Sequence, residues 1–248
     1  MDNQTKPIIT VITVCYNAVN ELEKTMLSVL NQTYDNIEYI IIDGGSTDGT
    51  VDIIKKYADR INYWVSETDN GIYDAMNKGV KIAIGEWINY MNAGDVFIDK
   101  SVISNLFQNS IADNYGIVFG DTLFLKKKKQ QVVRYGDNPC HKVMPSCHQS
   151  IFCRRSFLIQ YPFDLKYKTV ADYNFFFQLR KIDVDRKYVD IVVSVYDALD
   201  GISSRNEWTT RKDILKIENQ AVLFYIKSSI LYIKLVVKCF LIMIRVRK

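Results

Sequence analysis

The chain has 248 residues, 48% hydrophobic and 24% charged, which is enough apolar surface for a sizeable buried core and excludes a largely disordered protein. Its formal net charge of +4 is concentrated in Lys126 to Lys129 and between Lys227 and Lys248, unlike the spread basic face of a nucleic-acid-binding protein. Cys15, Cys140, Cys147, Cys153 and Cys239 are odd in number and lack the short paired spacing of a zinc site, so a reduced compartment is expected, and the polar opening Met1 to Pro7 predicts no signal peptide.

Residues 8–14 are β-branched and apolar, as in a strand buried on both faces, and a helical pattern follows over 21–30. A second apolar run at 37–42 precedes a predicted helix over 50–57. A strand at 63–66, a helix over 73–83 and a strand at 87–91 continue the alternation. This rhythm predicts an α/β fold, a mostly parallel sheet flanked by helices. Ligands gather beyond the carboxyl ends of such strands, which here lead into four loops rich in Asp, Asn and Gly: residues 15–17, 43–49, 67–71 and 92–95. After residue 110 the alternation weakens. Short strands are predicted at 116–121 and 132–135 with the four lysines as a solvated hairpin tip, then a Pro- and Cys-bearing loop, a helix over 173–180 and a strand over 188–195.

The loop Asp43-Gly44-Gly45-Ser46-Thr47-Asp48-Gly49 joins a buried strand to a helix start, a place suited to a nucleotide. Gly44 and Gly45 let the backbone approach a ligand, Asp43 can accept hydrogen bonds from base or ribose, and Ser46 or Asp48 can cap the helix. The loop is neither a Walker loop, for no Gly-Lys-Ser/Thr follows, nor a dinucleotide Gly-x-Gly-x-x-Gly turn. Taken alone, it is equally a well-capped turn.

Thr13-Val14-Cys15-Tyr16-Asn17, Gln32-Thr33-Tyr34, residues 43–50, Gly71-Ile72-Tyr73-Asp74-Ala75-Met76-Asn77-Lys78-Gly79 and Asn92-Ala93-Gly94-Asp95 follow one another in an order and spacing that resembles family 2 glycosyltransferases, and the likeness extends to about Ser203. The resemblance implies the GT-A fold, a nucleotide-diphosphate sugar as donor and transfer with inversion. By position, Tyr16 resembles the residue that stacks on the base, and Asp43 belongs to an acidic pair whose second carboxylate is replaced by Gly44. Thr13, Asn17, Gly45, Ser46, Asp74, Asn77, Lys78, Asn92, Ala93 and Gly94 are placed by the resemblance among the donor-binding positions.

Asn92 to Asp95 matches the family's Asp-x-Asp metal motif with Asp95 as its one carboxylate, which implies Mn²⁺ or Mg²⁺ held through Asp95, substrate phosphate and water. Asp172, in Val170-Ala171-Asp172-Tyr173, resembles the family's catalytic base; a helix N-cap is the bland alternative, and Asp164 and Asp121 are weaker competitors. His148 and Gln149, with Arg154, resemble an acceptor or phosphate loop, and Arg155, Gly201 and Ser203 fall at family positions near the diphosphate or on a mobile loop.

From Ser228 to Ile244 the chain is apolar but carries Lys234 and Lys238, too short and too charged for a spanning helix. Lys227, Lys234, Lys238 and Arg245 fall on one helical stripe, which predicts an amphipathic helix lying in a membrane surface or packed on protein. The expected organisation is a catalytic domain over 7–205 and a membrane-associating helical extension over 206–248. The expected location is the cytoplasmic face of the cell membrane, and the resemblance implies a saccharide or lipid-linked saccharide acceptor in cell-surface polysaccharide assembly, with no nucleic-acid partner. A nucleotidyltransferase and a non-catalytic nucleotide-sugar-binding scaffold are the rival readings.

Overall fold

The computed structural model describes residues 6–107, 114–126, 129–136, 143–197 and 208–218. Contacts divide the chain into two compact units, Met1–Arg205 and Asn206–Lys248.

In the first unit, β1 (Ile9–Cys15), β2 (Ile37–Asp43), β3 (Tyr63–Ser66) and β4 (Trp87–Tyr90) are all parallel and alternate with α1 (Leu22–Leu30), α2 (Thr50–Lys56) and α3 (Ile72–Ile82). All seven residues of β1 and all four of β4 are buried, as expected of mainly apolar strands covered on both faces, with Thr10, Thr13 and Asn89 buried among them. α3 lies flat on β1 because Gly79 has no side chain: a Cβ there would come within 2.7 Å of Ile12 Cγ2. Trp87 and Phe152 each meet Phe107 edge-on, at centroid distances of 5.6 and 5.3 Å, in one core with Ile9, Met26, Tyr39 and Ile41.

The second half of the unit departs further from expectation. The expected strands at 116–121 and 132–135 are β6 (Tyr115–Lys126) and β7 (Lys129–Val133), an antiparallel hairpin with Lys126 opposite Lys129, since pairing with a longer partner extends both. β5 (Val96–Phe97), α4 (Val102–Phe107), β8 (Ile151–Arg154) and α5 (Arg155–Gln160) were not expected; each has two to six residues, below the length at which a period shows. α6 (Ala171–Lys181) and β9 (Asp185–Asp197) enclose the predicted helix and strand. The sheet order is β3-β2-β1-β4-β8-β6-β9-β5, with β7 beside β6. β8 runs antiparallel to both β4 and β6, and β5 antiparallel to β9.

In the second unit a helix covers residues 208–218, with Lys216 Nζ 2.9 Å from Asp213 Oδ1. The stripe formed by Lys227, Lys234, Lys238 and Arg245 lies outside the described residues. Among the described residues no helix is long and apolar enough to cross a membrane.

Candidate active site

Parallel register sets Cys15 opposite Asp43 and Asp43 opposite Ser66, so the loops after β1, β2 and β3 share one rim, and β4 extends it. Asp43 is fully buried there and accepts hydrogen bonds from the backbone N–H groups of Gly45 (3.1 Å) and Ser46 (2.9 Å) and from the hydroxyls of Ser46 (2.5 Å) and Ser66 (2.6 Å). Burial opposes its charge, yet these donors outweigh burial and hold its pKa below the ordinary carboxylate value. The expected contact from Asp43 to base or ribose is therefore corrected: both oxygens are taken by the turn, and the carboxylate shapes the rim from beneath.

The loop after β1 is laced to the same turn. The Asn17 N–H donates to Ser46 Oγ (2.7 Å), Asn17 Oδ1 accepts from the Thr47 N–H (3.0 Å), and the backbone of Asn17 is held at φ 47°. Above the turn the Tyr16 ring is 66% exposed, an unusual position for a large apolar ring unless something covers it. A Cβ at Gly44 would fall 3.4 Å from that ring and 2.7 Å from Asp69 Oδ2. In the sequence Asp69 is only one residue of an Asp-, Asn- and Gly-rich loop; in the fold its Oδ1 accepts from the Gly71 N–H (2.7 Å), and its Oδ2 faces the gap left by Gly44.

Thr13 is displaced from its expected place at the donor. It is fully buried, its hydroxyl donating to the Met91 carbonyl (2.8 Å) and lying 2.9 Å from the Tyr39 hydroxyl, so it ties β1 to β2 and β4 below the rim. Three expected donor residues of α3 point into its surroundings. Asp74 accepts from the Asn70 N–H (3.0 Å), Lys78 pairs with Glu67 (2.9 Å), and Asn77 makes a two-way bond with the backbone of Phe163, donating to its carbonyl and accepting from its N–H, both at 2.9 Å.

Beyond β4, the Ala93 N–H donates to the Val14 carbonyl (3.1 Å), and Gly94 adopts φ 101° with its N–H on Thr25 Oγ1 (3.0 Å), which turns Asp95 back toward the sheet. Asp95 Oδ1 accepts from Gln149 Nε2 (3.2 Å), and burial pushes its pKa up to about 8. His148 stands in the 3-10 turn His148–Ser150 that leads into β8. Its Nε2 lies 3.0 Å from Asn92 Nδ2 and 3.7 Å from Asp95 Oδ2, and its Nδ1 lies 3.9 Å from Asp172 Oδ2. Burial lowers the His148 pKa, partly offset by Asp172, so the ring is neutral at pH 7. Asp172 occupies the first turn of α6, where Val170, not Asp172, is the N-cap residue, and it accepts from the Tyr73 hydroxyl (2.9 Å). Asp95, His148 and Asp172 thus meet at the rim that also carries Tyr16 and Asp69.

Arg154 and Arg155 do not join them, which corrects the expected acceptor or phosphate role. β8 runs antiparallel to β4, so its first residue faces the rim and its last lies beside Trp87 at the far end of the sheet. There Arg154 pairs with Glu86 and covers the Trp87 ring at 4.7 Å, and Arg155 Nε donates to the Val80 carbonyl. Asp164 pairs with Lys166 (2.6 Å), and buried Asp121 holds the Tyr135 N–H and the Tyr188 hydroxyl; neither approaches His148 within hydrogen-bonding reach. Gly201 and Ser203 lie outside the described residues.

The family described as Glycosyl transferase family 2 matches residues 10–189. The chain belongs to that family. It is 28% identical over 207 residues to a PGL/p-HBAD biosynthesis glycosyltransferase of Mycobacterium bovis, covering 80% of each protein. It is 34% identical over 116 residues to an uncharacterized glycosyltransferase of Haemophilus influenzae. Its fold matches the mannosyltransferase PcManGT from Pyrobaculum calidifontis, in complex with GDP-Man and Mn²⁺, at TM-score 0.68 and 20% identity over 88% of this chain and 65% of that one. It matches S. aureus TarS residues 1–349 in complex with UDP at TM-score 0.62 and 15% identity, over 77% of this chain and 60% of that one. The chain therefore spans less than two thirds of these solved structures, and the shared part is the GT-A domain, a curled α/β sheet with flanking helices.

Proposed function

We propose that the protein transfers a sugar from a nucleoside diphosphate to a hydroxyl of a saccharide or lipid-linked saccharide acceptor in cell-surface glycan assembly, with inversion at the anomeric carbon. The observation that carries this reading is the meeting of Asp95, His148 and Asp172 at one end of a rim whose other end carries Tyr16, Gly44 and Asp69. The base stacks on Tyr16 with its edge toward Asp69, and the diphosphate lies along residues 92–95. Fold neighbours that bind UDP and GDP-Man support a nucleotide-sugar donor.

In the reaction the acceptor hydroxyl gives its proton to Asp172 while its oxygen bonds to the anomeric carbon; the bond from that carbon to the diphosphate breaks, and its electron pair leaves with the diphosphate. Buried Asn92 Oδ1 has no hydrogen-bond partner and belongs to the same short segment as Asp95. Among the described residues no three His, Cys, Asp or Glu side chains stand together as a cage. This donor set fits Mg²⁺ or Mn²⁺ held by Asp95 and Asn92 Oδ1, with phosphate oxygens and water completing the shell. Such an ion, when bound, would neutralise charge on the departing diphosphate. The extension over 206–248 serves as the peripheral membrane contact on the inner face; deleting 218–248 is expected to release the protein from the membrane fraction, and unchanged partitioning rejects that role.

The decisive experiment is Asp172→Asn. Transfer is expected to fall by about 10²- to 10⁴-fold with nucleoside-diphosphate binding kept, and a fully active variant removes Asp172 from the base role.

A further inference from the structure

The base assignment leaves open which carboxylate oxygen takes the proton and what holds the incoming hydroxyl. Asp172 Oδ1 is engaged twice, by the Tyr73 hydroxyl at 2.9 Å and by the Tyr173 N–H at 2.8 Å. Oδ2 accepts no hydrogen bond among the described residues and faces His148 Nδ1 at 3.9 Å. That separation is too long for a direct bond. One oxygen atom placed between them, however, reaches both at ordinary hydrogen-bond length, about 2.8 Å each.

The protonation of His148 suits this arrangement. The Asn92 amide donates to Nε2 at 3.0 Å, so Nε2 is the acceptor nitrogen and the ring hydrogen is carried on Nδ1, toward Asp172. A hydroxyl in the gap would accept from the His148 Nδ1–H and donate to Asp172 Oδ2, both partners matched in sign. The side chains of His148 and Asp172 keep 26% and 18% of their surface exposed, so neither is sealed from solvent. Tyr73 is buried, lies 99 residues from Asp172 in sequence and packs on Phe163 at 5.4 Å, which fixes the position from which it donates.

Resting on Asp172 as the base, we infer that Tyr73 and His148 complete the acceptor-hydroxyl site: Tyr73 is a positioning residue that occupies Oδ1 and leaves Oδ2 as the proton-accepting oxygen, and the His148 Nδ1–H orients the attacking hydroxyl. The site therefore accepts a neutral hydroxyl that can donate and accept at once.

The test is a double-mutant comparison on the full chain with a transferable acceptor. Tyr73→Phe keeps the ring packing and removes one donor; kcat is expected to fall about 10- to 100-fold with the donor KM unchanged. His148→Ala is expected to lower kcat/KM for the acceptor with donor binding unchanged, and His148→Gln, which restores an N–H, to recover part of it. Added to Asp172→Asn, Tyr73→Phe should cost nothing further, because its effect passes through that carboxylate. If Asp172→Asn is inactive but Tyr73→Phe shows full kcat, or if the two losses multiply, the inference fails while the base assignment stands. An active Asp172→Asn overturns the base assignment itself.

Discussion

Two buried carboxylates at the same rim have been driven in opposite directions. Asp43, at the end of β2, is surrounded by N–H and O–H donors and is held in its charged form, whereas Asp95, beyond β4, has one amide donor and is pushed by burial up to about 8. The difference is one of what each is built for. At the end of β2 a carboxylate organises a loop and is saturated by it; beyond β4 Asp95 keeps a single side-chain donor and the neighbouring buried Asn92 Oδ1 has none among the described residues.

The largest effect should come from proton linkage at Asp95. Its pKa is raised above the ordinary 3.8, so its contribution favours the fold fully below that value and is lost as pH rises toward about 8. In cation-free buffer, urea denaturation should show stability falling by up to about 1.4 kcal/mol per pH unit across that window, and Asp95→Asn should flatten the slope. A wild-type curve with no slope there would erase the contrast with Asp43. Next, Asp43→Ala should destabilise by about 3 kcal/mol at pH 7, with the deficit shrinking at acid pH, because a depressed pKa contributes stability above the unfolded value and loses it as pH falls. A smaller loss, about 1–2 kcal/mol of nucleoside-diphosphate affinity, is expected of Tyr16→Ala by calorimetry, with the fold intact. The smallest is Arg154→Ala, which should leave turnover within about twofold and cost about 1 kcal/mol of stability; a large drop in kcat would return Arg154 to the site.

These contrasts track what the sequence could show. β1, β2 and β4 are mainly apolar segments that end in Asp- and Gly-rich loops, so their parallel direction and their shared rim follow from period and from the rule for parallel sheets. The end of the rim that carries His148 depends on β8, four residues with no visible period, and on its reversal against β4. That reversal brings His148 to the rim and carries Arg154, six residues later, to the other end of the sheet, which linear reading cannot separate. Asp69 is not legible because its importance lies in a gap on the neighbouring strand's loop, at Gly44. Tyr73 escaped because its partner is 99 residues distant, and its place in an apolar helix face reads as core.

Helix α3 links the two sides. Tyr73 and Asn77 stand one turn apart, as do Asp74 and Lys78, so the helix carries two neighbouring stripes. The first grips Asp172 and Phe163; the second grips Asn70 and Glu67 in the loop that bears Asp69. A single helix thus couples the position of the Asp172 carboxylate to that of the loop after β3 that carries Asp69.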